Sequence, residues 1–337
     1  MAKRRINDQQ QRRIKNLQQK RREKAADNQQ KKSDNLAQQG LGKEQPGIII
    51  TNYGQTLLVE GKDKKLHRCV ARQNLGALVC GDIVIWQAAL ADNNQGVVVA
   101  VEERKSLLQK PGFGGKLKPM AANINQIVIV SAIQPEPKPY LIDRYLIAAE
   151  NLPATPIILI NKIDLLEDKE KIDNLIKSYE NIGYQVISAS KVIDHGFDKL
   201  LDVLKNHTSI FVGLSGVGKS SLINHLMPEL NIRVGELSEA SGEGTHTTTS
   251  STLYSLPAGG VLIDSPGVRD FGLWNTSKEE ILNGFIELHE YIGHCKFSNC
   301  SHIHEPNCAI QQALKDGKIS QLRFNNYQKI IREYAAP

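Results

Sequence analysis

The sequence predicts a multidomain chain: an N-terminal β-barrel, a central parallel α/β domain and a mostly helical C-terminal domain. Three observations carry this. Five short β-like segments follow one another between residues 46 and 103. From Ile124 onward buried-type strands alternate with helical stretches, and the glycine-rich stretch GLSGVGKS (213–220) lies among them. Near the C-terminus, CKFSNCSHIHEPNC packs three cysteines and two histidines into residues 295–308. The expected boundaries are a tail over 1–45, the barrel over 46–115, the α/β domain over 116–275 and the last domain over 276–337.

The tail is separated by charge. The 337 residues carry a net +6, yet residues 1–45 hold 13 Lys/Arg against 5 Asp/Glu and the rest hold 29 against 31. The tail is Gln-rich and nearly devoid of large apolar residues, so it cannot bury enough surface to fold alone. Two readings stay open for it: a solvated leader, or an arm that neutralises phosphates of a polyanion. Basic residues with no apolar stretch behind them do not make a secretory signal. Runs such as IVIVSAI (127–133) and PIILI (156–160) are far too short to span a membrane. A cytoplasmic protein without membrane contact is expected.

The barrel segments are GIIITNYG, QTLLVE, LHRCVAR, DIVIWQA and GVVVAVEE, separated by Gly, Asp and Asn. Five strands in so short a span favour an OB-fold, a barrel type used for RNA binding. Cys69 and Cys80 fall in apolar surroundings and read as core thiols. KPGFGGKLKP (110–119) marks the break to the next domain.

In the α/β part, strands INQIVIVSAI, PIILI, YQVIS, SIFVGL and GGVLID alternate with helices YLIDRYLIAAEN, EKIDNLIKSYENI, FDKLLDVLKN and one starting near Lys219. GLSGVGKS fits the phosphate-loop pattern, following a strand and opening a helix. Gly213, Leu214, Ser215, Gly216, Val217 and Gly218 turn backbone N–H groups toward phosphates. Lys219 adds a fixed charge, the Ser220 hydroxyl is a Mg²⁺ ligand, and Ser221 continues the helix.

The base is chosen elsewhere. In NKID, Asp164 accepts two hydrogen bonds from the guanine N1–H and exocyclic amine, a donor pair that adenine lacks. Asn161 bonds the opposite edge, the Lys162 stem covers the face, and Ile163 completes the loop. Ser188 and Ala189, in SAS at the end of the next strand, are placed to add backbone contacts to the base carbonyl. Asp264, in IDSPG, is placed to hold Mg²⁺ through water, and the Gly267 N–H to sense the γ-phosphate. The polar stretch SGEGTHTTTSS (241–251) supplies a threonine to the Mg²⁺ shell, Thr248 first and Thr247 second. Val268 stands where Ras-type enzymes carry the water-orienting glutamine. His246 is the nearest alternative by sequence.

Cys295, Cys300, His302 and Cys308 supply three thiolates and an imidazole, the donor set of a closed structural zinc site. His294 and His304 are substitute ligands.

The base grip precedes the phosphate loop, reversing the order usual in guanine-nucleotide-binding proteins. A circular permutation of a P-loop GTPase domain reconciles the two orders, because domain termini often lie close together and tolerate rejoining. The DSPG segment then runs almost directly into the C-terminal domain, as a covalent lever.

With these residues assembled, the chain resembles the RsgA (YjeQ) family, the ribosome small-subunit-dependent GTPases of bacteria. The resemblance runs from about residue 46 onward, through barrel, permuted domain and Cys/His spacing. It implies binding to the small subunit and its rRNA in late maturation, subunit-stimulated GTP hydrolysis, and a catalytic histidine at His246. Thr245 departs from the arginine often found before that histidine. A monomer binding GTP and GDP is expected. Two rivals are a GTP-regulated RNA-binding scaffold that scarcely hydrolyses, which Val268 permits, and a P-loop ATPase or small-molecule kinase, against which NKID argues.

Overall fold

The computed structural model describes residues 31–36, 40–92, 94–111, 117–193, 195–227, 251–265 and 276–334. Two compact units separate between Arg104 and Lys105. No helix among the described residues is long and apolar enough to cross a membrane.

The first unit is a closed five-stranded barrel. Its strands are β1 (Leu41–Asn52), β2 (Leu57–Gly61), β3 (Leu66–Ala71), β4 (Ile83–Ala89) and β5 (Gln95–Val101). All five segments expected from the sequence form strands. Closure depends on the length of β1. Its first part pairs antiparallel with β4, from Leu41 opposite Ala89 to Ile48 opposite Ile83. Its second part pairs with β2, from Gly47 opposite Gly61 to Asn52 opposite Leu57, with a register shift between Ile49 and Thr51. β2 then pairs with β3, β3 runs parallel to β5, and β5 pairs with β4. In the ring 1-2-3-5-4-1 every strand has a partner on both sides. Alternate residues fill the inside: Ile49, Leu57, Val59, Cys69, Val84, Trp86 and Val98 form one cluster. Cys69 and Cys80 are both buried, and burial pushes both thiols well above their ordinary range. They are core residues, not reactive thiols.

The second unit opens with a two-stranded antiparallel ribbon, β6 (Leu107–Pro111) and β7 (Leu117–Ala122), where the sequence pointed only to a break. The main sheet contains β8 (Gln126–Ala132), β9 (Thr155–Asn161), β10 (Gln185–Ser188), β11 (Thr208–Val212), β12 (Thr252–Ser255) and β13 (Val261–Asp264). Their spatial order is 10-9-8-11-13-12, parallel except for β12 against β13. Every residue of β8 is buried, as a central strand covered on both faces requires. Between them run α1 (Pro139–Glu150), α2 (Lys169–Glu180), α3 (Asp198–Leu204) and α4 (Lys219–Leu226). The Asp168 side chain caps α2 by accepting from Lys171 N–H.

This order is that of a doubly wound sheet, and the permutation lies in the chain order, in which β9, ending in NKID, precedes β11, which leads into the phosphate loop. From β8 the chain winds outward through β9 to β10; from β11 it winds the opposite way to β13 and β12. The reversal falls between β8 and β11, and ligands of open α/β sheets bind outside the strand C-termini at such a switch point.

The remaining chain forms α5 (Lys278–Asn283), a 3-10 turn (Ile286–Tyr291), α6 (Ala309–Lys315) and α7 (Gln321–Tyr334). Ser277 and Glu280 close a capping box on α5. The core of this region, including Ile281, Phe285, Leu288, Phe324 and Tyr327, also contains Ile147 from α1. A buried charge network reinforces the joint. Asp143 on α1 accepts from Arg323 Nη1 at 2.5 Å, Asn326 Nδ2 at 2.6 Å and the Tyr179 hydroxyl at 2.7 Å. The other side of the Arg323 guanidinium forks onto Glu287 at 2.7 and 2.9 Å, and its plane lies 4.4 Å from the Phe285 ring centre. Burial opposes the Arg323 charge, but Asp143 and Glu287 outweigh it and hold the group protonated.

Candidate nucleotide site and metal cluster

The phosphate loop leaves β11 at Gly213 and reaches α4 at Lys219. Gly213 has φ of 140°, and a Cβ there would stand 2.2 Å from the Val130 carbonyl oxygen on β8. Gly218 has φ of 96°, and its Cβ would meet Asn161 Nδ2 at 2.4 Å. Neither position tolerates a side chain, so these glycines answer to the packing of neighbouring strands as well as to phosphate approach. Val217 is buried, whereas Ser215, Gly216, Ser220 and Ser221 are exposed and Leu214 is half-buried. Lys219 Nζ donates to the Gly213 and Leu214 carbonyls at 2.7 and 2.6 Å, which places its charge inside the loop.

The NKID segment lies against this loop. Asn161, the last residue of β9, donates from Nδ2 to the Val217 carbonyl at 2.9 Å, across 56 positions of sequence. Lys162 has φ of 59°, and its Nζ donates to the carbonyls of Gln134 and Gly216 at 2.6 and 2.8 Å. Its stem is therefore stretched over the space beside the loop. Ile163 and Asp164 lie in a 3-10 turn (Ile163–Leu165). That turn is pinned to the SAS segment: Ile163 N–H donates to the Ala189 carbonyl at 3.3 Å, and Ala189 N–H to Ile160 at 2.9 Å. Ser188 ends β10. Asp264 ends β13, half-buried, opposite Thr252.

The structure thus brings together Asn161, Lys162, Ile163, Asp164, Ala189 and the phosphate loop at one switch point. Thr245, His246, Thr247, Thr248, Gly267 and Val268 lie outside the described residues. Two contacts escaped the sequence reading. The Ser190 hydroxyl donates to the Asp164 carboxylate, holding it from behind, and Gln134 anchors Lys162. Ser190 stood inside the quoted SAS motif, so its hydroxyl was a readable signal; nothing marked Gln134.

The second cluster forms at the start of α6. The ligand atoms of Cys295, Cys300, His302 and Cys308 all lie within 4.8 Å of one another. Cys295 Sγ and Cys308 Sγ stand 3.4 and 3.5 Å from His302 Nδ1 and 3.8 Å apart. Tetrahedral ligands with Zn–S of about 2.3 Å and Zn–N of about 2.0–2.1 Å stand roughly 3.5–3.8 Å from each other. The cluster therefore fits a metal ion such as zinc, and the donor set of three thiolates and one imidazole favours one. Ala309 N–H donates to Cys295 Sγ at 3.4 Å, fixing that ligand from the helix end. His294 and His304 are exposed and outside the cluster.

Comparison with known proteins agrees with this geometry. The family model for the RsgA GTPase matches residues 101–274. The small ribosomal subunit biogenesis GTPase RsgA of Hahella chejuensis is 45% identical over 336 residues, covering 98% of this chain and 96% of that protein. Among solved structures, YloQ, described as a circularly permuted GTPase, superposes with a TM-score of 0.71 at 29% identity, covering 87% of this chain and 95% of that one. YjeQ from Thermotoga maritima gives 0.70 at 30% identity, covering 87% and 99%. With the family model over more than half of the chain and a 45% identical relative covered almost throughout, this chain belongs to the RsgA GTPase family of circularly permuted, GTP-hydrolysing enzymes.

Proposed function

We propose that the chain binds GTP at the β8/β11 switch point and hydrolyses it on the small ribosomal subunit, late in that subunit's maturation, with hydrolysis coupled to release. The observation that carries the nucleotide reading is the hydrogen-bonded joint between NKID and the phosphate loop. Asp164 follows in the same turn, exposed and with its carboxylate held by Ser190, which supports reading it as the base grip. The subunit reading rests on the relatives named for small-subunit biogenesis.

In this reading the loop N–H groups of 213–218 and Lys219 cradle the phosphates, while Asp164, Asn161 and the Lys162 stem hold guanine. The Ser220 and Thr248 hydroxyls would hold magnesium, which would neutralise charge on the phosphate oxygens. Val268 cannot orient water, so the free protein turns over slowly and His246 positions the attacking water once the subunit is engaged. Cys295, Cys300, His302 and Cys308 would hold one zinc, and four protein ligands would give it a structural role. The +8 tail over residues 1–45 adds phosphate contacts to rRNA. The protein acts as a cytoplasmic monomer.

GTP hydrolysis titrated with purified small subunits tests the proposal. Wild type should be stimulated by the subunit with GTP and not with ATP. His246→Ala should bind subunits normally yet lose roughly 10²-fold or more of the stimulated rate, the scale expected when positioning is lost. Subunit binding without stimulation in wild type would favour the scaffold that scarcely hydrolyses.

The zinc reading has its own measurement. Metal analysis of the purified chain should return about one equivalent of zinc, by the closed-site donor count. Chelation should unfold the C-terminal region, with its core of Phe285, Phe324 and Tyr327, while GTP binding largely persists. A metal-free chain with that region fully folded would remove zinc from the account.

A further inference from the structure

Between the first two cysteines of the metal cluster, residues 296–299 stand exposed. Phe297 is 41% exposed, one of few large apolar side chains so placed among the described residues. Phe285, Phe324 and Tyr327 fill a core against which Cys295 and Cys300 pack, yet Phe297 between those two cysteines is not part of it. Its backbone is fixed. The Phe297 carbonyl accepts from Cys300 N–H at 3.3 Å, and Lys296 N–H donates to Asn307 at 3.3 Å, tying the loop to both ends of the cluster. Lys296 Nζ lies 5.6 Å from the Phe297 ring centre. The one carboxylate in this knuckle, Glu305, accepts from Ser301 N–H and Oγ and from the N–H groups of Ile303 and His304. Those donors, the Ser301 hydroxyl first, hold its carboxyl well below the usual range, so it stays ionised with its charge spread over four donor groups of the knuckle itself.

An exposed aromatic ring on a hydrogen-bonded loop, beside an exposed ammonium that makes no ion pair among the described residues, matches one ligand chemistry closely. An unpaired nucleotide offers a π-face for the ring and a phosphate for the cation. A protein partner with an apolar pocket would use the ring but has no need of the lysine. We propose that Phe297 stacks on an unpaired base of RNA while Lys296 pairs with an adjoining phosphate. This makes the knuckle a single-strand reader distinct from the nucleotide crevice. The inference deepens the small-subunit reading above and rests on it for the identity of the RNA.

The test is equilibrium binding of the full-length, zinc-loaded chain to purified small subunits across a salt series. Zinc content and thermal unfolding of each variant confirm an intact knuckle. Phe297→Ala should weaken binding about tenfold, the scale of one lost base stack, without changing the salt slope. Phe297→Trp should restore affinity and Phe297→Leu should not, since leucine has bulk but no π-face. Lys296→Ala should lower the salt slope by about one. Phe297→Ala within twofold of wild type overturns the proposal, and so does Leu restoring affinity as well as Trp, which identifies an apolar protein pocket. If wild type does not bind subunits at all, the subunit reading fails. The stack is then decided by Phe297→Trp fluorescence with single-stranded oligoadenylate: quenching above that of wild type upholds it, and none overturns it.

Discussion

Arg323→Ala should be the most destabilising single substitution at the joint between the C-terminal helices and α1. The guanidinium satisfies Asp143, which is fully buried, and Glu287, which is nearly so. Removing it leaves two carboxylates facing each other across a cavity, with Asn326 and Tyr179 the remaining donors on Asp143. Breaking a buried pair from one side costs about 3–5 kcal/mol. For a unit of this size that is a fall of roughly 6–20 °C in unfolding midpoint. Arg323→Lys should recover only part of the loss, since an ammonium cannot span both carboxylates as the fork does. Thermal unfolding followed by tyrosine absorbance reports the change, because Tyr179 and Tyr327 sit at the joint. A midpoint shift under about 2 °C, below the lower bound of that estimate, would show that the network contributes specificity and little stability.

Asp164→Asn should reduce GTP affinity about a hundredfold or more. Each hydrogen bond to a charged group contributes about 1.5–3 kcal/mol, and the carboxylate makes two with the guanine edge. Ser190 sharpens the expectation. Its hydroxyl already donates to the carboxylate, so an asparagine keeps its carbonyl toward Ser190 and turns its amide toward the ligand. That amide meets the C2 carbonyl of xanthine, and xanthosine triphosphate should gain affinity as GTP loses it. Competition between the two nucleotides measures both effects at once. Unchanged GTP binding would place the base elsewhere.

Legibility followed the range of the interactions. The barrel strands and β8, β9, β10, β11 and β13 announced themselves through apolar runs punctuated by Gly, Asp and Asn, because burial within one strand is a local property. β12 did not: four residues, Thr252–Ser255, give a single turn of alternation beside a polar stretch. The β6–β7 ribbon was hidden by the Gly, Pro and Lys of its connection. Closure of the barrel through β1, with one strand serving two partners, has no local mark either. The site was legible where motif residues act through their own spacing, as in GLSGVGKS and NKID. The contacts that fix one motif against the other, Asn161 to Val217 and Lys162 to Gly216, join positions more than fifty residues apart.

The covalent lever read from the sequence meets an opposing constraint. In sequence the residues after Asp264 run into the C-terminal helices, and those helices share a core with α1 and a charge network with Asp143 and Tyr179. They are fastened to the half of the sheet that carries NKID. A change at the γ-phosphate that displaced the whole region would have to break that network. Movement confined to the connecting segment would leave it intact.

The same network sets a schedule for the polypeptide as it is made. Asp143 emerges 180 residues before Arg323. Through that interval α1 and α2 are complete, but the carboxylate between them has no cation and cannot leave water without a cost of several kcal/mol. The strands that carry NKID can pair early, whereas the surface behind them stays wet until α7 arrives. Although domains ordinarily mature from the N-terminal side during synthesis, this one is sealed by one of its last-made helices. A nascent chain halted before Arg323 would hold the phosphate loop and NKID while Asp143, on the helix packed behind their sheet, still lacked its cation.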